Sequence, residues 1–342
     1  MILPSQTIRS ITRNGWLSAN TPFEAAQIQP ASLDLRLAGP TWRVRASFLP
    51  GAGTVRQKLA GLALGEINIL DGAILETGCV YVAQLQEYML GSEAVAIANP
   101  KSSIGRLDVF VRIIADGSTE FDRIPCGYEG PLYAVICPQT FPVIVRPGSR
   151  LAQLRFERPG EGGATVKLRI DEKVSIDLSG KGVIGYRAKR YTGAVDVDGV
   201  GHHASTDFWE PIQAPAKRLK MRLGGEMFRE RDDRLILEPG EFYILASKEI
   251  VRIPATHAAE MVPFNANMGE YRVHYAGFFD PGFIGRAVLE VRAHRSPFVL
   301  EDGQRVGSLV YERMETAPDQ LYGAPIGSHY QEQGLKLSKH FR

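Results

Sequence analysis

Asp280-Pro281-Gly282-Phe283-Ile284-Gly285-Arg286-Ala287-Val288-Leu289-Glu290-Val291 joins a glycine-bracketed turn to an apolar, β-branched run that carries one carboxylate. Read as a strand, it places Ala287, Leu289 and Val291 on one face and Arg286, Val288, Glu290 and Arg292 on the other, because successive strand side chains alternate. Glu290 then points away from the apolar face, toward whatever the second face lines. An earlier stretch, Pro125-Cys126-Gly127-Tyr128-Glu129-Gly130-Pro131-Leu132-Tyr133-Ala134-Val135-Ile136, keeps both glycines and has Val135 at the carboxylate position. The chain reads as written twice, in two chemically unequal copies.

Other landmarks repeat in the same order. Gly78 of Leu75-Glu76-Thr77-Gly78 matches Gly240 of Leu237-Glu238-Pro239-Gly240 at a separation of 162 residues (240 − 78). Gly127 matches Gly282, and Gly148 matches Gly303, at 155 (282 − 127 and 303 − 148). The shorter spacing puts extra residues in the first copy, and the polar, Gly-containing Asp116–Asp122 is the candidate for them. After a short helix expected over Gln6–Arg13, alternating runs begin with an expected strand over Ile28–Leu37. To about residue 155 they are broken by Gly and Pro at close intervals, which is an all-β signature. The reading is an all-β protein of two tandem domains with a few short helices: 1–157, a connecting segment 158–210 with possible extra strands, and 211–342. Within the connecting segment, Thr165–Ile170 and Lys173–Leu178 are strand-like.

The chain has 342 residues, 44% hydrophobic and 23% charged, as in ordinary globular domains. Forty Lys and Arg against 38 Asp and Glu leave a net charge of +2, with no global field for nucleic acid or an anionic membrane. An anionic ligand must be held by a local cluster. The three cysteines have no metal spacing, residues 1–20 lack a signal-peptide core, and no run approaches the ~18 apolar residues of a membrane span. A reducing cytoplasm is the expected compartment.

Asn99-Pro100-Lys101-Ser102-Ser103-Ile104-Gly105-Arg106 gathers a cation, two hydroxyls and a guanidinium into one turn of an expected helix, with Ser102 as N-cap. That is an anion-binding cluster, or else a plain capped helix with a surface arginine. The second copy here reads Glu260-Met261-Val262-Pro263-Phe264-Asn265-Ala266-Asn267-Met268-Gly269, with neither the serine pair nor the arginine. One copy keeps the cluster and the other keeps the glutamate, as a site built across the two would require.

These residues resemble the dCTP deaminases of the dUTPase-like superfamily, in a duplicated long form. The resemblance rests on Gln29-Pro30-Ala31-Ser32-Leu33-Asp34-Leu35-Arg36-Leu37, Lys101–Arg106, Pro147-Gly148-Ser149-Arg150-Leu151-Ala152-Gln153-Leu154, and the chain from about Leu235 through Tyr322 and His329-Tyr330-Gln331-Glu332-Gln333-Gly334. It implies distorted β-barrel or jelly-roll domains, a homo-oligomer, and conversion of dCTP and water to dUTP and ammonia. Magnesium would come with the triphosphate, and dTTP is among the expected ligands as an inhibitor. It also implies Glu290, Ser102 and Arg106 as catalytic residues. Lys101, Ser103, Asp280, Val288, Tyr322, His329 and Gln333 would contact substrate.

One positioned carboxylate can serve as base for water and then as acid for the leaving amine. Arg286 and Arg292 share the face of Glu290, so a cross-strand ion pair is the alternative reading of that residue. Zinc deaminases carry His-x-Glu and Pro-Cys-x-x-Cys segments. Here Glu129 stands where the second cysteine would be and no His-x-Glu occurs, so no zinc is expected. The polar tail from Gly327 is expected to act as a lid. His329, where the family usually has lysine, would tighten triphosphate binding toward pH 6. Two rival functions remain: dUTPase activity, alone or following deamination to give dUMP and pyrophosphate, and non-catalytic nucleotide binding.

Overall fold

The computed structural model describes residues 1–158, 167–214, 218–221, 227–230, 233–263, 271–273, 277–293, 295–323 and 327–342; for 167–171, 218–221, 227–230, 263 and 271–273 it describes the backbone path. Two antiparallel sheets carry the duplication. The first contains β1 (Leu37–Val44), β2 (Ala63–Ile67), β3 (Val80–Leu90), β4 (Val109–Ala115) and β5 (Glu129–Pro138), in the order β2-β1-β3-β5-β4. The second contains β6 (Val183–Ala188), β7 (Trp209–Gln213), β8 (Phe242–Arg252), β9 (Tyr271–Val273) and β10 (Ile284–Ala293), in the order β7-β6-β8-β10-β9. The register matches as well. Val135 lies opposite Val82, and Glu290 lies opposite Ile244. Each copy adds a four-stranded sheet: Leu33–Leu35, Ala152–Glu157, Val95–Pro100 and Arg123–Ile124 in the first, Lys167–Ser175, Arg305–Arg313, His257–Pro263 and Phe278–Phe279 in the second. The all-β expectation holds.

The residues assigned to a connecting segment, 158–210, supply strands to both copies. Lys167–Ser175 and β6 pair within the second copy, while Val195–Asp196 runs parallel to Val143–Val145 of the first. Thr165, at the start of one expected strand, lies outside the described residues. Ile28–Leu37 is not one strand. Pro30 has no N–H for a ladder, and Gln29 N–H donates to Ser32 O at 2.8 Å to close a turn before Leu33–Leu35 begins. The first helix, α1, spans Ser5–Asn14 and ends at Gly15, whose φ of 92° suits glycine.

The two faces of β10 go to different cores. Ala287, Leu289 and Val291 pack with Tyr243 and Leu245 in the core of the second copy. Val288, with Phe242 and Ile244 of β8, packs into the core of the first. The paired middle of β8 and β10 is thus buried on both sides, one side facing the other copy. The matching face of the first copy is sealed differently: Trp42, Val80, Val82, Tyr133 and Val135 lie under α2 (Val55–Leu62) through Val55 and Leu59. Val55 N–H donates to Asp116 Oδ1 at 2.7 Å, so the polar insertion read from the glycine spacing holds α2 in place. No helix among the described residues is long and apolar enough to cross a membrane.

Candidate active site

A cavity of about 400 Å³ opens where β10 of the second copy meets α3 (Ser102–Gly105) of the first, and the tail from Gly327 packs over it. Lys101, Ser102, Ser103, Arg106, Asp280, Val288, Glu290, Tyr322, His329 and Gln333, all singled out from the sequence, line it. Both walls belong to one chain.

Alternation on β10 turns Glu290 toward α3, where it is 1% exposed. Its carboxylate fills the space beside Gly105: a Cβ built on that glycine would lie 2.5 Å from each Glu290 oxygen. The arginines sharing its face have carboxylate partners elsewhere. Arg286 pairs with Asp177 and donates to Ser247 O at 3.0 Å, and Arg292 pairs with Asp108 of the first copy.

The helix α3 is a single turn. Ser102 is its first residue rather than its cap; Lys101 holds the cap position and makes no capping bond. The Lys101 ammonium pairs with Asp34, which has a single strand position beside Gln153. Arg106, 3% exposed, is held by the tail: Nη1 donates to Lys336 O at 2.9 Å and Nη2 to Gln333 Oε1 at 3.0 Å, while Tyr330 stacks 3.9 Å beneath its guanidinium carbon. Gln333 Nε2 donates to Arg286 O at 3.0 Å, and Arg286 N–H donates to Gln333 O at 2.9 Å. The tail therefore adds to the start of β10 as a short parallel bridge and joins both walls.

Asp280 is buried, and its Oδ1 accepts from Ala31 N–H at 3.1 Å, in the turn that replaced the expected strand. Burial pushes its carboxyl up to about 7; the Ala31 bond and Lys101 oppose the rise, and Asp34 adds to it. Tyr322 packs edge-on against Phe283, ring centroids 5.6 Å apart, and burial raises its phenol. Val288 lies in the wall, 3% exposed. The His329 imidazole is pushed below its ordinary value by burial and by Lys339, Lys336 and Lys101, so any charge it gains toward pH 6 comes late.

The structure adds residues to those read from the sequence. Lys339, Arg150 and Asp34 line the same cavity. Burial lowers the Lys339 ammonium, and the neighbouring Lys101 and Arg150 lower it further, so three cations crowd one end. Arg150 lay in a quoted motif, but no spacing rule links Lys339, near the end of a polar tail, to Lys101. In the second copy, 264–269 and the side chain of Lys220, which stands at about the place of Asp34, lie outside the described residues. Glu260 pairs with Arg155 at 2.8 Å.

Comparison with known proteins identifies both halves of the chain. Residues 1–161 match the 2'-deoxycytidine 5'-triphosphate deaminase N-terminal domain, and 161–341 match the C-terminal domain. A Halobacterium salinarum protein named "dCTP deaminase, dUMP-forming" is 36% identical over 108 residues, covering 30% of this chain and 55% of its own. A Parafrankia protein of the same name is 34% identical over 108 residues, covering 30% and 54%. The chain thus spans about half the length of the curated relatives it matches. A solved 2'-deoxycytidine 5'-triphosphate deaminase from Agrobacterium tumefaciens is 46% identical, with a TM-score of 0.84 over 95% of this chain and 99% of that one. With both domains matched in order along nearly its whole length, this chain belongs to the 2'-deoxycytidine 5'-triphosphate deaminase family.

Proposed function

We propose that this protein deaminates dCTP, and the observation that carries the reading is the Glu290 carboxylate seated against α3 beside Ser102 and Arg106. Water attacks cytosine C4; Glu290 accepts one of its protons and returns it to the exocyclic nitrogen, the remaining hydroxyl proton passes to N3, the C4–N bond breaks, and ammonia leaves as the C4 carbonyl forms. Ser102 orients the water. Arg106 Nε, buried and without a hydrogen-bond partner among the described residues, is a donor in reserve for the substrate. Asp280, Tyr322 and Val288 hold the nucleoside, and Lys101, Ser103, His329, Lys339 and Arg150 hold the triphosphate, for which dTTP would compete. The reading needs no zinc, since the zinc-deaminase segments are missing from the sequence.

Magnesium would arrive on the triphosphate. Asp34 Oδ1 is buried with no hydrogen-bond partner among the described residues, and a carboxylate oxygen is the donor type that a hydrated magnesium takes. No proton transfer is assigned to the ion. Assembly into a homo-oligomer and a cytoplasmic location belong to this reading, although the site itself draws both walls from one chain.

On the final product, the names of the relatives point away from the dUTP expected from the resemblance and toward dUMP. Hydrolysis of the triphosphate after deamination is therefore the form of the reaction these relatives favour. The test is ammonia and pyrophosphate release from dCTP with magnesium, for the wild type, Glu290→Gln and Ser102→Ala. Ammonia from the wild type, falling about 10²- to 10⁴-fold in Glu290→Gln, supports the reading. Equimolar pyrophosphate supports dUMP. Binding of dCTP with neither product released would leave a nucleotide-binding protein and overturn catalysis.

A further inference from the structure

The strand face that carries Glu290 holds a second chemical difference between the copies. On β10 it continues from Glu290 to Arg292; at the matching places β5 has Val135 and Cys137. The copy that gained the carboxylate also carries a guanidinium two residues on, about 7 Å along the strand. That guanidinium reaches into the first copy. Arg292 Nη2 donates to Asp108 Oδ2 and, at 2.6 Å, to Thr140 Oγ1, and the Thr140 hydroxyl donates to Asp108 Oδ2 at 2.5 Å.

Asp108 sits where α3 ends. Its N–H donates to Gly105 O at 2.9 Å, and its φ of 57° is a left-handed conformation that non-glycine residues adopt at a cost of about 1–2 kcal/mol. It is fully buried. Burial pushes its carboxyl up, Arg292 pulls it back down, and nearby Glu290 adds to the upward push. A strained, buried carboxylate is a poor stabiliser by itself and breaks badly if its partner is lost. What it does supply is a directional contact three residues from Gly105, meeting β10 two residues from Glu290.

We propose that Asp108, acting through Arg292, is a positioning residue that docks β10 on the α3 turn and holds the Glu290 carboxylate in its seat beside Gly105. The inference rests on the reading of Glu290 as the proton carrier. Two contacts between one strand and one turn fix both position and tilt, where one alone would leave the strand free to pivot. Displacing a reacting group by about 1 Å is enough to cost about 100-fold in rate.

The test uses the full chain and compares Asp108→Asn, Arg292→Gln, Arg292→Lys, the double variant combining Asp108→Asn with Arg292→Gln, and Glu290→Gln. The readouts are steady-state ammonia release from dCTP and thermal unfolding. Positioning predicts that each single loss lowers kcat about 10- to 100-fold with KM for dCTP within about threefold. It also predicts that the double variant is no slower than the worse single one, since both remove the same contact, and that Arg292→Lys recovers part of the rate. Should Asp108→Asn fail to fold, the Arg292→Gln and Arg292→Lys pair decides alone. If Glu290→Gln is inactive while the Arg292 variants keep wild-type kcat and merely melt earlier, the contact only joins the two copies and the proposal is wrong. If Glu290→Gln keeps wild-type kcat, the reading of Glu290 itself fails, whatever the Arg292 variants do.

Discussion

The Glu290 carboxylate occupies the space that a side chain on Gly105 would need: a Cβ built there falls 2.5 Å from both oxygens. Alanine at 105 suits the one-turn helix better than glycine by about 1 kcal/mol, so a loss of function in Gly105→Ala would come from displacing the carboxylate. We expect kcat for ammonia release to fall at least about 100-fold with the melting temperature little changed. Wild-type kcat in this variant would show that Glu290 does not work from that seat.

Lys339 shares one end of the cavity with Lys101 and Arg150, and their mutual repulsion with burial lowers its ammonium. A bound polyanion relieves that repulsion. Lys339→Ala should raise KM for dCTP about 10- to 100-fold, the scale of one lost charge-assisted contact, and weaken its dependence on salt. His329→Ala should change KM little at pH 7.5, because burial and three lysines hold the imidazole below its ordinary value. Tightening of triphosphate binding through this residue is confined to pH below about 6.5, and a KM that drops between pH 8 and 7 only when His329 is present would contradict this.

Asp280 has its carboxyl raised to about 7 from 3.8, burial being the main cause. A raised carboxyl binds its proton more tightly folded than unfolded. The stability it contributes is therefore present below pH 4 and lost as pH rises toward 7. Asp280→Asn keeps an oxygen for Ala31 N–H and removes that loss. Relative to the wild type, the variant should gain stability between pH 4 and 8, on the order of 4 kcal/mol at the upper end, while its KM for dCTP rises. Parallel pH curves of unfolding for the two proteins would refute the burial argument.

His340, fully buried in the tail, lies 3.0 Å from Val197 O and 2.7 Å from Ser338 Oγ, and burial lowers its imidazole to about 4. Here the sign is opposite. The neutral ring is favoured folded, so its contribution is present above about pH 6.5 and lost as pH falls toward 4, on the order of 3 kcal/mol. Unfolding of the wild type and His340→Asn at pH 7.5, 5.5 and 4.5 should converge as the pH drops. A constant gap would mean that His340 does not titrate with the fold.

Much of this architecture was legible in the residues. Period-two alternation put Glu290 and Val288 on the face away from Leu289, and glycine spacing exposed the duplication, because a turn needing left-handed backbone keeps its glycine where side chains drift. Asp116–Asp122 appeared as an insertion; that Asp116 would anchor α2 over Val135 did not. The turn at Gln29–Ser32 was read through as strand, since Pro30 acts on backbone hydrogen bonding and leaves the apolar alternation intact.

By itself, the sequence determined on which strand face Glu290 and Val288 stand, and that the candidate set is split, the Lys101–Arg106 cluster in one copy and Glu290 in the other. Only the tertiary structure decided that the two half-sets meet within one chain, that Arg286 and Arg292 turn to Asp177 and Asp108, and that Lys339 joins Lys101 and Arg150. Local pattern sets the direction of a side chain relative to its own backbone; its partner depends on how sheets separated by well over a hundred residues pack, and that packing follows from burying β8 and β10 between two cores.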